Sequence, residues 1–216
     1  MNTLKSKGHW IKSVLKYIGI LSVFMCLPAF ANDCVSYKMT PKITISVPTW
    51  TKEVVQPLDE MDLWHGNVIA TMVDNYDIVA DITSIEDGFC VGIKQVDAEI
   101  GYSNFLVQVD IRHKPNTCSY DAVLAHEDQH IREYLSVIDD ARMGLHNALY
   151  SAADSVMPIF VKDSLDIDLA IEQLNEKLQS HPELILIKQK IKSEEEIRNK
   201  KIDQNDMGES LKKCLN

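Results

Sequence analysis

The sequence predicts an α+β fold, in which a small antiparallel sheet packs on one long helix and a C-terminal helical extension follows. Residues 42–47 alternate polar and apolar side chains, as a strand with one buried face does. From about Tyr120 to Val156, apolar residues recur every three or four positions, which is the spacing of a helix with one buried face. Charged segments on both sides of Pro182 keep the same helical spacing.

One more helix and two more strands complete the predicted elements. Residues 57–76 carry apolar side chains at roughly helical spacing, so we expect a helix there. Residues 89–98 and 104–113 have the composition of strands. Gly101–Tyr102–Ser103 between them suits a hairpin turn, which would make the sheet antiparallel.

Residues 1–31 have the pattern of a secretory signal peptide. Residues 1–16 contain four lysines and no acidic residue, and the apolar run that follows is shorter than the roughly 20 residues that span a bilayer. The segment ends in Ala29–Phe30–Ala31, a typical cleavage pattern. Cys26 invites a lipoprotein interpretation, but the residues before it are bulkier than lipoprotein signals require.

We therefore divide the chain into a signal peptide at 1–31, an α+β domain at 32–160 and a charged helical extension at 161–216. After cleavage, 18 basic and 32 acidic residues remain, a net charge of −14. This charge argues against a nucleic-acid partner, which needs clustered Lys and Arg. No later apolar run is long enough to span a membrane. The sequence thus predicts an exported protein, periplasmic or secreted, without a stable membrane span.

Four cysteines follow the predicted cleavage site, namely Cys34, Cys90, Cys118 and Cys214. An even number in an exported chain indicates two disulfides, and four cysteines allow three pairings. Of these we favour Cys34–Cys90 and Cys118–Cys214, because each bond would tie one chain end to the middle. No Cys-x-x-Cys spacing suggests a redox motif or a zinc ribbon.

The sharpest feature is an H-E-x-x-H motif formed by His126, Glu127 and His130 within the long predicted helix. Helix positions four apart differ by about 40°, so both imidazoles project from the same face. Two neutral imidazoles so placed can chelate one Zn²⁺. Glu127 can then accept the proton of a water molecule that attacks a substrate.

The motif resembles that of the zincin metallopeptidases, in which it lies on an active-site helix behind an edge strand that aligns the substrate. The chain is also similar to an uncharacterised bacterial family of secreted zinc-dependent proteases, which combine a small β-region with this motif on a long helix. The resemblance covers about residues 103–135. It implies that His126 and His130 are zinc ligands, that Glu127 is the general base, and that the substrate is a peptide or protein.

The sequence departs from the zincin patterns at the third zinc ligand. The metzincin extension would need Gly at 133 and His at 136, where this chain has Glu133 and Ser136. The thermolysin-like pattern would place a Glu about twenty residues beyond His130, but position 150 is Tyr. We consider four candidates from three parts of the chain: Glu133, Asp154, Glu172 and His113.

Each candidate would need a different geometry. Glu133 shares the histidine face of the helix, although it is better suited to orienting His130. A bend of the helix near Gly144 would let Asp154 or Glu172 fold back towards the metal. His113 ends a predicted strand and would approach from the opposite side.

These observations predict a secreted zinc-dependent hydrolase, most simply a metallopeptidase. The alternative is a non-catalytic, exported binding or envelope-associated module, with an incidental or degenerate motif and a partner held by the charged C-terminal helices. A third ligand close to both imidazoles would favour the enzyme.

Tyr134 or Tyr150 is an additional candidate as hydrogen-bond donor to a transition-state oxyanion, although aromatic packing is the default explanation for both.

Overall fold

The computed structural model describes residues 34–57, 65–205 and 211–214, so the predicted signal peptide lies outside the described residues. The strands, in chain order, are β1 (Lys42–Ser46), β2 (Thr51–Val55), β3 (Gly66–Ile85), β4 (Gly88–Val109) and β5 (Ile159–Val161). The α-helices are α1 (Cys118–Ser155), α2 (Ile167–Gln179) and α3 (Pro182–Asn205). Short 3-10 turns cover Val35–Tyr37 and Ser164–Asp166.

The 22-residue strand β4 is the centre of a five-stranded mixed sheet. Along one side, β3 pairs with β4 in antiparallel register from Ile85↔Gly88 to Gly66↔Val109, after a turn at Glu86–Asp87. Along the other side, three short strands follow one another. β5 pairs antiparallel with the first residues of β4, whereas β1 and β2 pair parallel with its middle and its end.

Two β-bulges keep one face of β4 buried over its whole length. Lys94 and Ser103 have no partner in the register with β3, so each is an extra residue in β4. An extra residue moves the following side chains to the opposite face of a strand. The buried apolar residues accordingly change from odd to even positions and back, as Val91, Ile93, Val96, Ala98, Ile100, Tyr102, Phe105, Val107 and Val109.

α1 packs against the buried face of the sheet, and both C-terminal helices share the same core. Leu145 and Leu149 of α1 are fully buried, as are Leu174 and Leu178 of α2 and Leu184 of α3. Full burial of such a side chain contributes about 1.5–3 kcal/mol. α2 and α3 are therefore part of the packed structure and do not form a free arm.

The fold-class prediction is wrong in its sheet. The sheet is neither small nor antiparallel throughout, because β1 and β2 run parallel to β4, and β3 and β4 have 20 and 22 residues. The hairpin turn predicted at residues 101–103 is also wrong, since β4 continues through it with the bulge at Ser103. Gly101, which suggested a turn, lies instead within the strand, two residues before the bulge.

The helix predicted at residues 57–76 is wrong from Gly66 onwards, where the chain forms β3. Residues 58–64 lie outside the described part. The apolar residues of this segment include Val68, Ile69 and Val73, which are β-branched and fit a pleated strand better than a helix. Pairing with the whole of β4 outweighs the approximate helical spacing.

Other predictions are confirmed. β1, α1 and the two C-terminal helices lie where the sequence places them. The disulfides are Cys34–Cys90 and Cys118–Cys214, with Cα–Cα distances of 5.4 and 5.5 Å. Both bonds are compatible with an exported protein. Within the described ranges, no helix combines the length and apolarity that a membrane crossing requires.

Replacement of Leu174 by Ala tests whether α2 belongs to the cooperative core. Leu174 is 0% exposed, so Leu174→Ala should lower the free energy of unfolding by about 2–5 kcal/mol in urea denaturation. Leu169→Ala on the same helix is the matched control, because Leu169 is 54% exposed and should change stability by about 0.5 kcal/mol or less. Equal effects of both variants would contradict the packing of α2 on the sheet.

Candidate metal centre

The motif residues lie on the inward face of α1. Thr117 caps the helix by accepting a hydrogen bond from the backbone N–H of Tyr120. His126, Glu127 and His130 follow in the next turns and are 3%, 2% and 9% exposed. The imidazole Nε2 atoms of the two histidines are 3.2 Å apart, as predicted for positions four apart on one helix face.

Asp203, near the end of α3, brings a third ligand atom to the two imidazoles. Its Oδ1 lies 3.1 Å from Nε2 of His130 and 3.5 Å from Nε2 of His126. Ligand atoms about 2.0–2.1 Å from a tetrahedral metal ion are about 3.3 Å from each other. The three distances therefore fit one face of a coordination tetrahedron, and His126, His130 and Asp203 can hold a metal ion.

Asn199 fixes the orientation of His130. The Nδ1 atom of His130 lies 2.7 Å from Oδ1 of Asn199, and the Asn199 amide donates in turn to the backbone carbonyl of Glu195. Because the Asn199 oxygen is an acceptor, Nδ1 of His130 carries the hydrogen. Nε2 is then left with its lone pair directed at Asp203 and His126, which is the tautomer that binds a metal.

Glu127, next to His126 on α1, is buried. Its burial raises the pKa of the carboxyl group to about 8, and the nearby charges of Asp203 and Asp128 add to the shift. Gly66, the first residue of β3, lies directly against it. A Cβ atom at position 66 would be 2.7 Å from Cγ1 of Val123 and closer still to Oε1 of Glu127. A glycine is therefore needed for this approach of β3 to α1.

Arg198 connects α3 to α1 beside the site. Its guanidinium lies 2.8 Å from the carboxylate of Asp140 and 3.6 Å from that of Glu133. Both acids are on α1, and Arg198 immediately precedes Asn199. These ion pairs link α3 to α1 just before Asn199.

None of the four candidate third ligands belongs to the group that the structure describes. Glu133 pairs with Arg198, and Asp154 lies 3.4 Å from Lys38. His113 lies 2.9 Å from His65, and Glu172 is on the exposed side of α2. Asp203 was missed because it is the last acid of a charged helix and 73 residues beyond His130, with no motif of its own.

Tyr134 and Tyr150, the two candidate hydrogen-bond donors, differ in their surroundings. Tyr134 packs against Tyr102 and Phe105, with ring centroids 5.1 and 6.1 Å apart, as the packing interpretation predicts. Burial raises the pKa of its hydroxyl, and the charges of Glu195 and Asp203 add to this effect. Tyr150 is 41% exposed, seven turns or more from the start of α1. Tyr134 is therefore the better placed of the two near the metal group.

Gly66→Ala tests the close approach of β3 to Glu127. The added methyl group must displace Val123 or Glu127, so we expect a loss of about 1–3 kcal/mol in the free energy of unfolding. Gly92→Ala is the control, because its Cβ would meet Pro158 at 3.4 Å, an ordinary contact, and should change stability by about 1 kcal/mol or less. Urea denaturation measures both, and unchanged stability in Gly66→Ala would contradict this packing.

The raised pKa of Glu127 predicts a pH dependence of the metal-free protein. Between pH 4.5, the ordinary pKa, and about 8, the folded chain holds a proton that the unfolded chain releases. Stability should therefore fall as pH rises through this window, by at most about 1.4 kcal/mol per pH unit. In urea denaturation with a chelator present, the stability difference between wild type and Glu127→Gln should show this slope. A difference independent of pH would contradict it.

Comparison with known proteins assigns no family to the chain. The sequence matches no protein-family model, and neither curated proteins nor solved structures gave a match. The function must therefore be inferred from the chemistry of His126, His130, Asp203 and Glu127.

Proposed function

We propose that this protein is an exported zinc metallopeptidase, with His126, His130 and Asp203 as zinc ligands and Glu127 as general base. The observation that carries the proposal is the tetrahedral spacing of the three ligand atoms beside a buried carboxyl group. Two imidazole nitrogens and one carboxylate oxygen, with a fourth position left over, form the donor set of catalytic zinc sites.

One ligand of the proposed centre has access to solvent. The side chain of Asp203 is 39% exposed, whereas the imidazoles beneath it are almost fully buried. A substrate can therefore approach from the side of Asp203, while the protein interior shields the opposite side of the ligands. In a closed structural site, by contrast, we would expect all the ligands to be buried.

When bound, the ion would supply Lewis-acid chemistry by polarising the scissile carbonyl group and acidifying water. The residues of the chain supply the proton transfers. Glu127 accepts the proton of the attacking water at its carboxylate and passes it to the leaving amine. A cation next to Glu127 favours its ionised form, which opposes the effect of burial on its pKa. Asn199 keeps the His130 ring in place throughout.

An exported location supports a peptide or protein outside the cytoplasm as the substrate. The N-terminal pattern of residues 1–31 and the two disulfides agree with export. The net charge of the mature chain favours encounters with cationic segments of a substrate.

Metal content tests the ligand set. The protein, exported with its own leader and purified with both disulfides formed, should contain about one zinc per chain by elemental analysis. His126→Ala and Asp203→Ala should be purified with little zinc, because each removes one of three ligands and leaves a weaker two-ligand site. Glu133→Ala should retain its zinc, since Glu133 faces Arg198. This variant is the matched control, because it also removes a carboxylate near the site.

Glu127→Gln separates catalysis from binding. It should keep its zinc and lose at least 10²-fold in the rate of hydrolysis of an unfolded protein substrate. The wild type could contain zinc and yet hydrolyse the substrate no faster than Glu127→Gln, at the background rate. That result would contradict the proposed enzyme and favour the exported binding module. Absence of zinc even after exposure to micromolar Zn²⁺ would contradict the metal centre itself.

A further inference from the structure

We propose that the Cys118–Cys214 disulfide positions the third metal ligand, so that tight metal binding requires this bond to be formed. The inference rests on the metal centre of the proposed function but not on its peptidase activity. It follows from the way in which the end of α3 is attached to the rest of the protein.

Hydrophobic packing holds only the first part of α3. Leu184 and Ile191 are buried, at 0% and 2% exposure. Beyond Ile191, the described part of α3 has no buried apolar side chain. Asp203 lies twelve residues further on, which is about 18 Å along a helix. The metal ligand is therefore far from the nearest apolar anchor of its own helix.

Tyr102 of β4 donates a hydrogen bond to Glu195, just over two turns before Asp203, but the polar contacts closer to Asp203 contribute little to holding this end. Arg198 pairs with Asp140 and Glu133, but these acids are 61% and 38% exposed, and exposed ion pairs contribute about 0–1 kcal/mol. Asn199 adds one hydrogen bond to His130. A helix end with such contacts frays readily, and Asp203 lies within that end.

The disulfide provides a covalent attachment on the other side of Asp203, next to the partly buried Leu211, which packs against the core. Cys214 lies eleven residues after Asp203, and it is bonded to Cys118, the first residue of α1. Cys118 is eight residues, just over two helical turns, before His126. Asp203 is thus bracketed in the chain by two attachments to α1, the Asn199–His130 hydrogen bond before it and the disulfide after it.

This arrangement keeps the carboxylate at a high effective concentration near the imidazoles. A short tether restricts the volume that its end can explore, and so reduces the ordering needed for binding. Reduction by a dithiol supplies two electrons, converts Cys118 and Cys214 to thiols and leaves the reductant as a disulfide. The end of α3 is then released, and the centre is left with two firmly held ligands, His126 and His130.

Formation of the Cys118–Cys214 disulfide should therefore precede tight metal binding. In a reducing compartment the site binds metal weakly, and it becomes a three-ligand centre once the bond between Cys118 and Cys214 forms. The bond Cys34–Cys90 has no such role, because it joins the N-terminal end to β4 on a different part of the chain.

Paired serine variants test this inference. Zinc affinity should be measured by competition with a chromophoric chelator for wild type, Cys118→Ser/Cys214→Ser and the matched control Cys34→Ser/Cys90→Ser. The first pair should bind zinc at least about 10-fold more weakly, and the control within about 3-fold of wild type. Amide hydrogen exchange of the metal-free proteins should be faster in the last turns of α3 in the first pair only.

The Asp203→Ala background distinguishes positioning from a general loss of stability. If the disulfide acts through Asp203, Cys118→Ser/Cys214→Ser should have no further effect on zinc affinity once Asp203 is Ala. An additional loss of the same size in that background would overturn the inference, and so would equal affinity in wild type and the first pair. Absence of zinc in the wild type would instead overturn the proposed metal centre.

Discussion

Three ionisable side chains buried on neighbouring turns of α1 are the constraint on which the rest of this structure depends. A polar group taken out of water without a partner costs about 2–7 kcal/mol, and a charged one costs more. His126, Glu127 and His130 are at most 9% exposed, and the two imidazoles lie within 3.2 Å of each other on α1. α3 supplies Asn199 and Asp203 as further partners of the imidazoles, and Gly66 of β3 packs closely against Glu127. The position of α3 is thereby tied to the chemistry of α1.

The same burial governs the protonation of Glu127, the general base of the proposed mechanism. In the metal-free chain the pKa of about 8 keeps its proton on near neutral pH, which avoids an uncompensated charge in the interior. A divalent cation at the His126–His130–Asp203 group would reverse the balance. Metal binding and ionisation of the base are therefore linked by electrostatics, without a conformational change.

Local patterns were sufficient for the helices and for half of the candidate site. Helical spacing located α1, and the four-residue spacing of His126 and His130 gave their common orientation. The idea that each disulfide ties a chain end to the middle selected the observed pairing. The sheet could not be predicted in this way, because Gly101–Tyr102–Ser103, where β4 has its second bulge, also has the composition of a hairpin turn. Asp203 could not be predicted either, since its role depends on how α3 packs across α1.

The packing of the C-terminal helices limits which fragments of the gene could carry a complete site. A gene fragment that ended near residue 160 would encode the complete H-E-x-x-H motif and the whole sheet. It would lack Asp203 and Asn199, and it would leave the surface that Leu174 and Leu184 cover open to water. Recombination could therefore not transfer the motif to another scaffold as a self-sufficient module. The motif and Asp203, 73 residues beyond His130, therefore belong to one structural unit.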